Sequence, residues 1–206
     1  MYNLPVFHNE RDIEIPLLFE FVRKMDGQYL SVLDVGCSFA AYTKELKGMV
    51  GELHGVDLLR QENIVQDLDF FYQEDFLTAD LPMCDLVVSV SAIEHVGVEY
   101  LPSPLYKELQ ITTFAKMLSL AKVGLFLTFP YGEDILMSGF YYNGHRSLLE
   151  IYEDLARGLK IKKSFYSTLD PKDPAGWREI PQDLADKSTG CLAKGVDTIC
   201  VLEVYK

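Results

Sequence analysis

Three carboxylates and one small-residue turn hold most of the chemistry that can be read from this sequence. Asp34 stands two positions before Gly36 in the run SVLDVGCSFA (31–40), Asp57 closes the apolar run LHGVD, and Asp75 follows Glu74 at the end of FYQED. An acidic residue about 20 positions beyond a strand-to-helix turn, at the end of the next strand, is the usual partner of ribose hydroxyls in nucleotide-type sites. Gly36 has no Cβ, so backbone and ligand can approach closely there. A helix beginning near Ala40 or Ala41 would add unpaired N–H donors. Residue types and spacing together point to a ligand that carries a ribose.

Two turn patterns compete for the run after Val32. A dinucleotide fingerprint needs glycines at 36, 38 and 41, where this chain has Gly36, Ser38 and Ala41. The other pattern, D-x-G-x-G-x-G, is met by Asp34 and Gly36, with Cys37 between the small residues and Ser38 and Ala40 in place of the later glycines. Asp34 separates the two by electrostatics. A carboxylate beside the turn repels a phosphate but attracts an ammonium or a sulfonium. The segment CDLVVSVSAIEHV (84–96) fits a fourth strand followed by a polar E-H-V turn, and TICVLEVYK fits a last hairpin strand. On these residues the chain resembles the class I S-adenosylmethionine-dependent methyltransferases, well over about 32–129 and loosely elsewhere.

The resemblance implies an α/β fold with a seven-stranded, mostly parallel sheet, helices on both faces and an antiparallel C-terminal strand. It implies S-adenosylmethionine as cofactor. The turn Asp34, Gly36, Cys37, Ser38 and Ala40 would face the methionine moiety. Asp57 would face the ribose and Asp75, with Glu74 beside it, the adenine amine, and Leu58 and Ser89 would join them in binding the cofactor. Ser38 suits a tight turn and can cap a helix. Ala40 adds a methyl, which would cost about 1 kcal/mol if the backbone there required a positive φ.

Methyl transfer from an activated donor is chiefly a matter of alignment, and a base is needed only for a hydroxyl or protonated amine acceptor. His95 is the candidate base, since an ordinary imidazole is largely neutral at pH 7. Its alternative role is a structural histidine bonding the loop backbone. Glu94 either orients His95 or faces solvent. Tyr131, Tyr142, His145 and Trp177 are candidates for the acceptor pocket, with Tyr141 beside them, because aromatic faces stack on sugars, heterocycles and cations. Core packing competes for Tyr141 and Tyr142. Phe129-Pro130-Tyr131 is superficially similar to the N/D-P-P-Y turn of amino-methylating enzymes, but it follows strand five rather than strand four. His8 and His54 are read as uninvolved, and no residue set has metal-ligand spacing.

The elements that must position these residues follow from apolar periodicity. An N-terminal helix lies within 10–26 and begins near Pro16, because proline disrupts a helix interior. Short helices are expected over 41–47 and within 59–69, with strands at 53–57, 70–74 and 86–90. Ser103-Pro104 opens the clearest helix, which Gly124 ends before a strand at 125–129. A helix over 146–158 and a strand over 161–166 follow. The stretch 170–195, with two D-P dipeptides and the only Trp, reads as a long loop insertion before the last strand.

At 206 residues and 49% apolar composition the chain suits a single folded domain with a full α/β core. A net charge of −12 argues against nucleic acid as partner, since phosphate binding wants a basic face. A small-molecule or sugar-containing acceptor fits better. Cys37, Cys84, Cys191 and Cys200 lack C-x-x-C spacing and read as reduced thiols. With no basic leader and no apolar run near 20 residues, the expectation is a cytoplasmic protein without membrane contact. Two other readings stay open. A non-catalytic protein could keep the fold as a cofactor-binding or interaction module, and a nicotinamide-dependent oxidoreductase would share Asp57 but lacks its glycines and a Tyr-x-x-x-Lys pair.

Overall fold

Continuous apolar runs in this sequence become strands buried on both faces, the usual state of a parallel sheet covered by helices. The structure, a computed structural model, describes residues 9–100, 103–132, 145–168, 176–188, 191–192 and 195–206. Strands β1 (Ser31–Val35), β2 (Glu52–Asp57), β3 (Phe70–Gln73), β4 (Cys84–Val90) and β5 (Ala121–Pro130) pair in parallel in the order β3-β2-β1-β4-β5. Beyond β5 lie β10 (Thr198–Tyr205), β6 (Lys160–Ser167) and β7 (Arg178–Ile180). β10 runs antiparallel to both β5 and β6, and β7 antiparallel to β6. The sheet has eight strands rather than the expected seven. The additional edge strand, β7, comes from the stretch read as a loop, which also holds the short helix α6 (Gln182–Ala185) and the two-residue strands β8 (Cys191–Leu192) and β9 (Gly195–Val196).

The strands' period-2 alternation splits the core into two layers. Leu33, Val35, Val87, Leu125, Leu127 and Leu202 face α4 (Pro104–Leu120) and α5 (His145–Leu155), packing on Phe114, Met117, Leu148, Leu149 and Tyr152. Val32, Leu53, Leu86, Val88, Phe126 and Val201 face the other way, onto Leu18, Phe21 and Val22 of α1 (Arg11–Lys24) and Leu46 of α2 (Thr43–Lys47). The short α3 (Glu62–Val65) connects β2 to β3.

Three expected boundaries move. Helix α1 starts at Arg11 and carries Pro16 inside it. The pyrrolidine forfeits one interior N–H bond, that to the Asp12 carbonyl, while the buried face of Glu14, Leu18, Phe21 and Val22 holds the helix on the sheet. Helix α2 starts at Thr43, not Ala41, because a 3₁₀ turn over Cys37–Phe39 comes first. Helix α4 is capped by Ser103, whose hydroxyl accepts the Leu105 N–H (3.3 Å), but it ends at Leu120. Gly124 lies inside β5 instead, where the missing Cβ leaves room for Phe21, Met25 and the Val204 carbonyl. Among the described residues no helix is long and apolar enough to cross a membrane.

Candidate functional site

All five parallel strands point their carboxyl ends the same way, and the connection out of β1 and the one out of β4 diverge to opposite sides. A crevice at such a divergence is where open α/β sheets bind ligands. Here it is a cavity of about 540 Å³, within the range of small-molecule sites. Gly36, Ala40, Asp57, Leu58, Glu74, Asp75, Ser89 and His95 line it, so the carboxyl ends of four strands converge on one space.

Gly36 forms the floor of the turn. Its φ of +83° is left-handed, and a Cβ there would overlap the methyl of Ala92, so only glycine fits. The turn then winds through the 3₁₀ segment 37–39, tied down by Asp57. The Asp57 carboxylate accepts the Ser38 N–H (3.0 Å) on one oxygen and the Leu59 N–H (2.9 Å) on the other. Each oxygen keeps lone-pair capacity for a ligand. The Ser38 hydroxyl donates to the Leu59 carbonyl and is buried. Asp75, exposed at the end of β3, accepts the Leu77 N–H (2.9 Å) on one oxygen. Ser89, almost fully buried, donates to the Val35 carbonyl (3.0 Å) and locks β4 to β1 at the cavity floor.

The substitutions at Ser38 and Ala40 carry no backbone strain. Ala40 has φ −77° and ψ 82°, and Ser38 is not among the residues at positive φ. The left-handed residue that the pattern demands is Gly36 alone, so the cost expected for Ala40 does not arise.

Several expected site residues lie elsewhere. Asp34 is fully buried beneath the turn and does not line the cavity; it accepts the Tyr42 hydroxyl (3.2 Å), and burial raises its carboxyl to about 7. Cys37 points into the core, where the absent Cβ of Gly55 makes room for its sulfur, and burial pushes its thiol up. Ser38 acts through the Asp57 and Leu59 contacts rather than from the cavity wall. Glu94 neither faces solvent nor lines the cavity. It is 4% exposed, its carboxyl rises to about 8 through burial, and its backbone carbonyl accepts the Tyr106 hydroxyl (2.8 Å). Tyr131 packs on Phe165 in the core and donates to Asp186 (2.7 Å). Trp177 fastens the segment after β6 to the chain ahead of α1, its indole N–H donating to the Asn9 carbonyl (2.9 Å). Tyr141 and Tyr142 lie outside the described residues. His145 opens α5, and its side chain is outside them too.

His95 sits in a 3₁₀ turn over Ile93–His95 with its side chain on the cavity. Desolvation by the surrounding wall, helped by the Arg11 charge, holds its imidazole below the usual value. His54, by contrast, is a strand residue, stacked on Phe70 and bonded to Glu52 and Tyr72. Among the described residues no group of three His, Cys, Asp or Glu side chains could hold a metal ion.

Sequence reasoning missed the contribution of α1. Arg11 lines the cavity, and its Nη1 donates to Glu14 (2.6 Å) and to the Val90 carbonyl (3.1 Å). Glu14 is fully buried and accepts the Ser91 hydroxyl (2.5 Å). Ser91 itself has φ +40°, a conformation costly for a residue with a Cβ. Its N–H is held by the Thr128 hydroxyl (3.0 Å). The signal was present, because Glu14 occupies the apolar stripe 14-18-21-22 of the helix, with an arginine three residues before it.

No family model matches the chain, and no curated protein matches it in sequence. Solved structures do match in fold. The magnesium protoporphyrin IX methyltransferase ChlM of Synechocystis PCC 6803, with bound S-adenosylmethionine, aligns at TM-score 0.59 and 14% identity, over 95% of this chain and 79% of that one. The N-methyltransferase NodS of Bradyrhizobium japonicum WM9 aligns at 0.59 and 14% over 95% and 96%. The 1,6-didemethyltoxoflavin-N1-methyltransferase of Burkholderia thailandensis aligns at 0.61 and 12% over 96% and 80%. The order of the sheet, the antiparallel β10 between β5 and β6, and the cavity at the carboxyl ends of the strands are therefore those of the class I S-adenosylmethionine-dependent methyltransferase fold.

Proposed function

We propose that the chain binds S-adenosylmethionine in this cavity and transfers its methyl group to a small-molecule or sugar-containing acceptor. The observation that carries the reading is the convergence of Gly36, Asp57 and Asp75 on one cavity of about 540 Å³. The residues present suit the group. The left-handed Gly36 turn admits a ligand against the backbone, and Asp57 retains acceptor capacity for two ribose hydroxyls. Asp75 and Glu74 stand at the end of the next strand, where an exocyclic amine would donate. Leu58, Phe76 and Leu77 supply apolar wall for a purine. When bound, the cofactor supplies an activated methyl on a sulfonium.

The protein's part is alignment and, for a hydroxyl or ammonium acceptor, removal of one proton. His95 is the residue for the second task. With its imidazole held below the usual value it is neutral at pH 7, and a ring nitrogen can accept the acceptor's proton. The wall chemistry supports a neutral or cationic acceptor over a polyanion. Asp57, Glu74, Asp75 and Glu99 line the cavity, against a single lysine or arginine among the described residues, Arg11. That balance and the net charge of −12 speak against nucleic acid. Three buried free thiols, at Cys37, Cys84 and Cys200, are compatible with a reducing, cytoplasmic setting.

Calorimetric titration with S-adenosylmethionine and S-adenosylhomocysteine tests the cofactor, and labelled-methyl transfer to a panel of amines, phenols and sugars tests the acceptor. Saturable binding of both ligands with transfer to at least one acceptor class is the expected result. No binding of either would sink the proposal. Binding without transfer to any acceptor would favour a non-catalytic cofactor-binding protein.

A further inference from the structure

The cavity has a charge problem that one residue can solve. Its acidic lining suits a sulfonium, an ammonium and ribose hydroxyls, yet the proposed cofactor also carries a carboxylate. Among the described residues Arg11 is the one lysine or arginine on the cavity wall. Only Nη1 of its guanidinium is used, by Glu14 and the Val90 carbonyl, so Nε and Nη2 keep donors without a partner among the described residues.

Its place in the cavity is fixed by its contacts. The Val90 carbonyl that Arg11 holds is two residues before Ala92, whose methyl lies against Gly36. Tyr42, which bonds Asp34 beneath the turn, feels the Arg11 charge as well. The guanidinium therefore belongs to the Gly36 end of the cavity, with Asp57 and Asp75 at the carboxyl ends of the next strands over. Its orientation is set from behind. Glu14, fully buried, grips Nη1 and the Ser91 hydroxyl together, so the first turn of α1 is joined to the strained turn after β4. An arginine fixed by a buried carboxylate is preorganised, and its planar fork suits bidentate capture of a second carboxylate.

Resting on the reading that the cavity takes S-adenosylmethionine, we infer that Arg11 binds the carboxylate of the cofactor's methionine moiety, with Glu14 as the positioning residue that holds it there.

The test compares S-adenosylhomocysteine with 5′-methylthioadenosine, the same nucleoside thioether without the amino-acid end, by calorimetry. Arg11→Gln should weaken S-adenosylhomocysteine at least about tenfold, the scale of one charge-assisted hydrogen bond, and leave methylthioadenosine within about twofold. Arg11→Lys should recover part of the loss. Because Arg11→Gln leaves Glu14 buried without its partner, the double variant Arg11→Gln, Glu14→Gln removes the uncompensated charge, and it should show the same selective loss with a thermal midpoint nearer the parent's. Asp57→Ala should weaken both ligands. Unchanged S-adenosylhomocysteine affinity in the single and double variants would overturn the inference, as would an equal loss for both ligands. If the parent protein binds neither ligand, the cofactor reading itself has failed, and the role of Arg11 falls with it.

Discussion

Replacing Gly36 by alanine puts a number on the turn at the head of the cavity. The substitution has two separable costs. At φ +83° an L-residue sits in the left-handed region, which costs about 1 kcal/mol. The new methyl would also occupy the space of the Ala92 methyl. Relieving that overlap means moving the backbone after β4, which the Ser91 bonds to Thr128 and Glu14 resist. Overpacking of this kind costs about 1–3 kcal/mol, so the total is about 2–4 kcal/mol. With a urea dependence of about 2 kcal/mol per molar, the unfolding midpoint should fall by about 1–2 M. Adding Ala92→Gly removes the overlap but not the left-handed strain, so the double variant should regain all but about 1 kcal/mol. Equilibrium urea unfolding of the four proteins in that cycle is the assay. A midpoint for Gly36→Ala within about 0.2 M of the parent's would refute the reasoning about the turn. A double variant no more stable than Gly36→Ala would refute the assignment of Ala92 as its cause.

Asp57→Ala should weaken S-adenosylhomocysteine by about 1.5–3 kcal/mol in calorimetry, since it removes charge-assisted acceptors from the ligand and from the Ser38 and Leu59 N–H groups. Unchanged affinity would place the ribose elsewhere. His95→Gln should lower turnover about a hundredfold while leaving S-adenosylhomocysteine affinity intact, and equal turnover would make the histidine structural. In the parent protein the rate should climb with pH through an inflection below the ordinary imidazole value and then level off, because the neutral ring is the working form. Glu94 is raised from 4.5 to about 8, so the folded state holds a proton that the unfolded chain releases earlier. Its contribution to stability is complete below about pH 4.5 and is lost as pH rises through about 8, and Glu94→Gln should flatten that decline in urea midpoints measured across the range.

The parallel half of the sheet was legible because each strand is a short apolar run closed by a polar or glycine signal, as in LDVG and HGVD. That Gly36, Asp57, Asp75 and His95 reach one cavity was legible for the same reason: strand ends are read directly from such runs, and in a parallel sheet the ends converge. The burial of Asp34, Cys37 and Ser38 was not, because which side of a turn faces the ligand depends on the 3₁₀ winding over 37–39, and small residues permit more than one winding. Tyr131 and Trp177 were assigned by residue type. Their partners, Asp186 and the Asn9 carbonyl, lie 55 and 168 residues away in sequence, and no local pattern announces them. Pro16 misled by its rule, since a proline inside a helix is tolerated when the helix is held by packing. Strand β7 was hidden because three residues at a sheet edge, largely exposed, carry no alternation to detect.

β10 is the last of the eight sheet strands to be synthesised, yet it lies third from one edge, between β5 and β6. Until it leaves the ribosome, β5 presents an open edge with seven consecutive buried-type residues from Gly124 to Pro130, and β6 has no neighbour through which to join the sheet. A nascent chain interrupted before Thr198 would therefore expose an unpaired apolar strand, the feature that recruits chaperones or other strands.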